Sequence, residues 1–156
     1  MKLLALVLSF GLAMGSPALV ASESVDPLES ARWGDMRKLF FGTQQLVFDD
    51  RVKVIGPADA ENPMQVPITV DATALGSVQE VLVFADFNPI LQILRFFPQR
   101  ASAFLGFRIK LQQSSPVRAA ALTSDGVWHL GGTWINTVGG GCTAPSAASA
   151  APEWQR

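Results

Sequence analysis

The sequence predicts an all-β protein: an antiparallel β-sandwich with a short N-terminal helix and a flexible Gly-rich C-terminal arm. Three observations predict it. Apolar residues alternate with period two through residues 46–138, turn-forming pairs separate the alternating runs, and no helix-length segment interrupts them. A chain of 156 residues is long enough to bury one core and too short for two ordinary domains. The expected organisation is a leader over 1–22, a sandwich with its helix over 23–138, and a cysteine-bearing arm over 139–156.

The helix comes first. Asp26 is placed to cap it, Pro27 suits the first helical position, and Glu29 completes a capping box. Trp33, Met36, Leu39 and Phe40 then fall on one side as core packing, and Gly42 is a C-terminal stop. Over 64–72, Met64, Val66, Ile68, Val70 and Ala72 share one face of a strand whose Pro67 calls for an edge or a bulge. Over 101–111, Ala103, Leu105, Phe107, Ile109 and Leu111 repeat the pattern. Shorter strands are expected at 51–55, 80–87, 93–97 and 116–123. The last is joined through Ser124-Asp125-Gly126 to a strand over 127–135, as a hairpin.

Gly56-Pro57, Asn62-Pro63, Asn88-Pro89 and Ser114-Ser115-Pro116 supply turns. About seven short strands so spaced fit an immunoglobulin-like sandwich, with an open barrel as the alternative. Tyr is absent and the only Cys lies outside the strands, so the antibody-type hallmarks are missing. Residues 81–85 are apolar on both faces, which requires either cover on two sides or a partner.

Residues 1–22 read as a secretory signal: Lys2, an apolar run over 3–14, then Gly15-Ser16-Pro17 and small residues. That run is short of the roughly 20 residues a membrane span needs. The expected mature protein is exported, without a stable membrane anchor. With 12 Lys+Arg against 13 Asp+Glu, the chain lacks the basic excess of a dedicated nucleic-acid binder.

An exported chain with a single cysteine, Cys142, has no internal disulfide to form. Around Cys142 stand glycine, alanine, serine and proline, with no charge within ten residues, so nothing nearby lowers the thiol pKa. Such a thiol suits a group carried for other enzymes. Gly139, Gly140 and Gly141 give the arm its hinge. The sole histidine, His129, is expected to point away from the inward set Trp128, Leu130 and Trp134, towards solvent or a partner; one Cys with one His provides no metal site. The glycine run is followed by no helix, so it cradles no phosphate. Asp49, Asp50 and Asp86 are expected in turn or solvent roles, and no catalytic residue is assigned.

The runs Val52-Lys53-Val54-Ile55-Gly56-Pro57, Ala60-Glu61-Asn62, Val66-Pro67-Ile68, Phe84-Ala85-Asp86-Phe87-Asn88-Pro89, Ser115-Pro116-Val117-Arg118-Ala119 and Gly139-Gly140-Gly141-Cys142 stand in this order. In that order the chain resembles SoxY, the thiol-bearing subunit of the Sox thiosulfate-oxidation carrier. It is more closely similar to the SoxYZ-like carriers found beside quinoprotein dehydrogenases. The resemblance implies a periplasmic sulfur carrier, without a cofactor of its own, in which Cys142 is the attachment residue and Gly139, Gly140 and Gly141 form the swinging-arm hinge. The implied partners are a SoxZ-like domain or subunit, periplasmic sulfur-oxidising enzymes and c-type cytochromes, or a quinoprotein dehydrogenase. SoxY proper ends in Gly-Gly-Cys-Gly-Gly, whereas Thr143-Ala144-Pro145 follows Cys142 here. No SoxZ-like domain follows on this chain, which leaves a truncated fusion and a partner on a separate chain as the two readings. Two rival functions are a binding adaptor for a quinoprotein dehydrogenase or cytochrome, docking through 81–85, and a thiol enzyme using Cys142 with His129.

Overall fold

The computed structural model describes residues 25–137, which form two packed β-sheets with one helix on the outer face of the larger. In chain order they are α1 (Trp33–Phe40), β1 (Leu46–Phe48), β2 (Lys53–Ile55), β3 (Asp59–Ala60), β4 (Val66–Asp71), β5 (Val78–Ala85), β6 (Gln92–Phe96), β7 (Phe104–Ile109), β8 (Ser115–Thr123) and β9 (Trp128–Thr137). The large sheet runs β1-β9-β8-β5-β6, with β3 also paired to β9; the small sheet runs β2-β4-β7. The expected sandwich is present. The leader and the arm, with Cys142, Gly139, Gly140 and Gly141, lie outside the described residues.

Period-two alternation places the core between the sheets. Val66, Ile68 and Val70 of β4 face Val81, Val83 and Ala85 of β5 and Val117, Ala119 and Ala121 of β8 across it, all fully or nearly fully buried. Pro67 stands opposite Arg108 of β7, past the end of β2, which pairs only with positions 69–71 of β4. It therefore occupies a local edge, where a missing N–H removes no ladder bond. The Ser124-Asp125-Gly126 hairpin joins β8 to β9, with Gly126 at φ 82°.

The residues of 81–85 are covered on both sides. Val81, Val83 and Ala85 enter the inter-sheet core, while Leu82 and Phe84 lie beneath Trp33, Met36 and Phe41. The exposed docking face assumed by the adaptor reading is therefore not there. Phe40 and Phe84 rings stand 4.8 Å apart, and Phe41 and Trp128 5.3 Å.

The helix departs from expectation at its start. It begins at Trp33, because Glu29 has φ 50° and residues 26–30 form a separate turn in which the Asp26 carboxylate accepts the N–H groups of Leu28 and Ser30. At the other end Gly42, at φ 57°, donates its N–H to Arg37 O at 3.1 Å and closes the helix as expected. Leu39 points outward and is 61% exposed. Trp134, expected inward, is 38% exposed, because α1 covers the outer face of β9 only over Trp128 and Leu130. Met64, outside β4, is also exposed.

Two short pairings are parallel where an antiparallel sandwich was expected: β1 with β9 and β3 with β9. To make both, the chain crosses over β9 at Gly131, where an added Cβ would stand 1.8 Å from the carbonyl oxygen of Val52. Gly131→Ala is thus expected to destabilise the fold by about 1–3 kcal/mol or more, the range for forced overpacking. Gly106→Ala, with open space at its Cβ, serves as the near-neutral control in urea unfolding. Equal midpoints for the two would contradict this packing.

Candidate functional site

The last described strand carries the chain to the arm, and its end is fastened from three sides. In the parallel ladder Asp59 pairs with Asn136 and Ala60 with Thr137. Asn136 N–H donates to Ala58 O at 2.8 Å, and Thr137 N–H to Ser114 Oγ at 2.9 Å. Trp134 Nε1 donates to Asn136 Oδ1 at 3.0 Å, and Asn136 Nδ2 in turn to Asp59 Oδ1 at 3.2 Å. Behind them Ile135 is buried against Gly56, where an added Cβ would come within 2.9 Å of it. The position from which the arm departs is therefore fixed. Cys142 lies five residues beyond Thr137, so its Cα lies within about 18 Å of that anchor.

Two of the motif runs, 84–89 and 115–119, meet at this same end. Phe84 pairs with Arg118 and Ala85 with Val117, and Asp86 N–H donates to Pro116 O at 3.1 Å. Phe87 N–H donates to Ser115 Oγ at 3.1 Å. The Asn88 side chain donates to Lys110 O and accepts from Gln112 N–H, both at 3.0 Å. The Phe87 and Trp134 rings meet edge-on at 6.2 Å. These residues build the scaffold beside the arm's root.

Beneath it lies an ion cluster that sequence reading did not find. Arg118 donates Nη1 and Nη2 to the two carboxylate oxygens of Asp26, at 2.8 and 2.7 Å, and Nε to Asp86 at 3.0 Å. All three side chains are buried, and the guanidinium carbon sits 4.8 Å from the Trp33 ring centre. Burial alone would raise the Asp26 pKa; the Arg118 bonds and the N–H groups of Ser30 and Leu28 outweigh it and hold the carboxyl below its ordinary value. Arg118 likewise loses by desolvation and gains more from its two carboxylates, so its pKa is raised. The cluster ties the N-terminal turn to β8 and β5. Asp86, expected in a turn or solvent role, is one of its buried members, because charge pairing allows a carboxylate into the core.

His129 stands near the opposite end of β9. Its residue pairs with Ala121, on the inter-sheet side, so the ring is half-buried at the rim and does not turn to solvent. Nδ1 lies 2.7 Å from Asp49 Oδ2 and Nε2 3.2 Å from Thr123 Oγ1, whose hydroxyl donates to Asp125. Asp49, expected in a turn, also receives Arg51, and chiefly that bond holds its carboxyl far below the usual range. The eight residues of strand between His129 and Thr137 span about 26 Å. Both ring nitrogens are already engaged. His129 fastens the 49–51 turn to the hairpin.

The comparisons with known proteins agree with this fold. In fold, the sulfur carrier protein SoxY from Chlorobium limicola f thiosulfatophilum superposes with a TM-score of 0.59 at 16% identity, covering 69% of this chain and 96% of that one. A variant of the superoxide reductase (neelaredoxin) from Ignicoccus hospitalis gives a TM-score of 0.50 at 15% identity, covering 68% and 98%. At such identities the likeness is one of fold alone. No curated protein matches the chain in sequence. The family model described as sulfur oxidation protein SoxY matches residues 37–142, more than half of the chain and ending on the cysteine, and the chain belongs to the SoxY family.

Proposed function

We propose that this chain is a periplasmic covalent sulfur carrier in which Cys142 holds the cargo and Gly139, Gly140 and Gly141 form the hinge. The observation that carries the reading is the family match running to Cys142, five residues beyond a strand end fastened by Ser114, Ala58 and Asp59. A rigid body with a thiol on a short tether can present one sulfur to several active sites in turn.

The chemistry assigned to Cys142 is bond exchange at sulfur. Joining the thiol to the terminal sulfur of a thiosulfate-like anion makes one S–S bond and releases one proton and two electrons. An acceptor is therefore required, and c-type cytochromes or a quinoprotein dehydrogenase would supply it. Hydrolysis of the outer S–S bond then releases the sulfonate group as sulfate and leaves a persulfide on Cys142. A free thiol with the reference pKa of about 8.5 is only a few per cent thiolate at pH 7, so partner enzymes would activate and load Cys142. A SoxZ-like domain or subunit is the expected structural partner, and residues 1–22 the export signal.

Cys142→Ser is expected to abolish sulfur-compound oxidation in a strain whose only copy carries it, while the purified variant unfolds with an unchanged midpoint. Retained oxidation would return the chain to a non-covalent role.

A further inference from the structure

The charge of the molecule is segregated in a way the carrier role does not require. Between Asp86 and Asp125 the sequence contains no acidic residue, yet it contains Arg95, Arg100, Arg108, Lys110 and Arg118. Arg118 is buried in its cluster; the other four are exposed on β6, on β7, in the segment joining them and, for Lys110, directly after β7. Arg95 pairs with Glu80. Among the described residues, Arg100, Arg108 and Lys110 have no carboxylate at ion-pair distance, although the chain as a whole is slightly acidic.

An edge of each sheet also lies on this side. Among the described residues β6 pairs only with β5, and β7 only with β4, so each sheet leaves an unpaired edge here. The inter-sheet core reaches the rim between them: Leu94, Phe96, Leu105 and Phe107 pack on it while half-buried. Phe97 and Phe104 stand 55% and 53% exposed beside them. An edge rich in Ile, Leu and Phe, without proline inside β6 or β7, is a template for association unless something covers it.

We propose that the β6–β7 side is the docking surface for a β-domain with an acidic rim, the SoxZ-type chain of the carrier pair. The choice of partner rests on the carrier reading; the surface and the charge of its occupant rest on the residues above. Carboxylates around the partner's contact face would meet Arg100, Arg108 and Lys110, while an apolar centre would cover Phe97 and Phe104. A second copy of this chain fits poorly, because a two-fold contact at this edge sets the same cations against one another.

The test uses the full chain with a photo-crosslinking phenylalanine at Phe97 or Phe104, and at Leu39 and Ile55 as exposed controls. It is mixed with the purified SoxZ-type chain encoded in the same genome. The expected result is crosslinking from 97 and 104 only, with binding weakened about ten-fold or more in Arg100→Glu/Arg108→Glu and by raised salt in the unmodified chain. Binding with crosslinks only from the controls, or binding indifferent to both charge reversals, overturns the surface and leaves the partnership standing. Crosslinking from 97 and 104 to a second copy of this chain overturns the acidic occupant. No complex in any arm overturns the partnership and this docking surface with it.

Discussion

Arg118→Met is expected to cost about 3–5 kcal/mol of folding stability, the range for breaking a buried ion pair by removing one partner. The loss is large because the guanidinium serves two carboxylates at once: without it Asp26 and Asp86 are left buried and charged, with hydrogen bonds from the turn N–H groups to Asp26 alone among those two side chains. Arg118→Lys should recover little, since an ammonium cannot match a guanidinium holding both carboxylates. A triple variant that also carries Asp26→Asn and Asp86→Asn should recover a substantial part. The pH dependence gives the sign. In the native chain Asp26 binds its proton less tightly than in the unfolded chain, so its contribution is full above pH of about 4 and is lost as pH falls below it. In Arg118→Met the dominant remaining influence, burial, raises that pKa, so the deficit should be greatest at neutral pH and should shrink on acidification. Urea unfolding at pH 7, at pH 4 and at about pH 3 measures both; a deficit independent of pH would mean that lost packing, and not charge, sets the cost.

Replacing Gly139, Gly140 and Gly141 together by proline is expected to reduce enzyme-dependent loading of Cys142 by an order of magnitude or more. Proline fixes φ and makes a stiff extended segment of similar length, so the reach stays while the choice of direction is lost. Alkylation of Cys142 by iodoacetamide should proceed at the original rate, because a small reagent approaches from any side. Loading and alkylation falling together would indicate that the substitution had hidden the thiol rather than stiffened its tether.

Most of the sandwich was legible because period-two alternation is local: β4 and β7 lie within the spans their patterns indicated, and β5, β8 and β9 overlap theirs with ends displaced by up to about two residues. What alternation could not carry was any feature set by a distant partner. Asp26 has the sequence context of a helix cap, yet its strongest bonds go to Arg118, 92 residues away. Asp86 reads as a strand-end carboxylate until the β5–β8 register brings it to the same guanidinium. Trp134 and His129 were misplaced because β9 is covered on its outer face by α1 at one end and not at the other, so a single inward parity does not hold along it. The parallel contacts of β1 and β3 depend on Gly131 admitting the Val52 carbonyl, which no local pattern announces. Cys142 was singled out by composition alone, as the only thiol in a segment without bulky neighbours.

The most direct test of the carrier role is the intact mass of the chain purified without reductant from its own host, grown on a reduced sulfur compound. The account predicts a population heavier than the mature chain by added sulfur or an S-thiosulfonate group, located on Cys142 by fragmentation and removed by dithiothreitol, since an S–S linked group exchanges with thiols. A chain that carries only a free thiol at Cys142 under those conditions, while its host oxidises the compound at full rate, would contradict it.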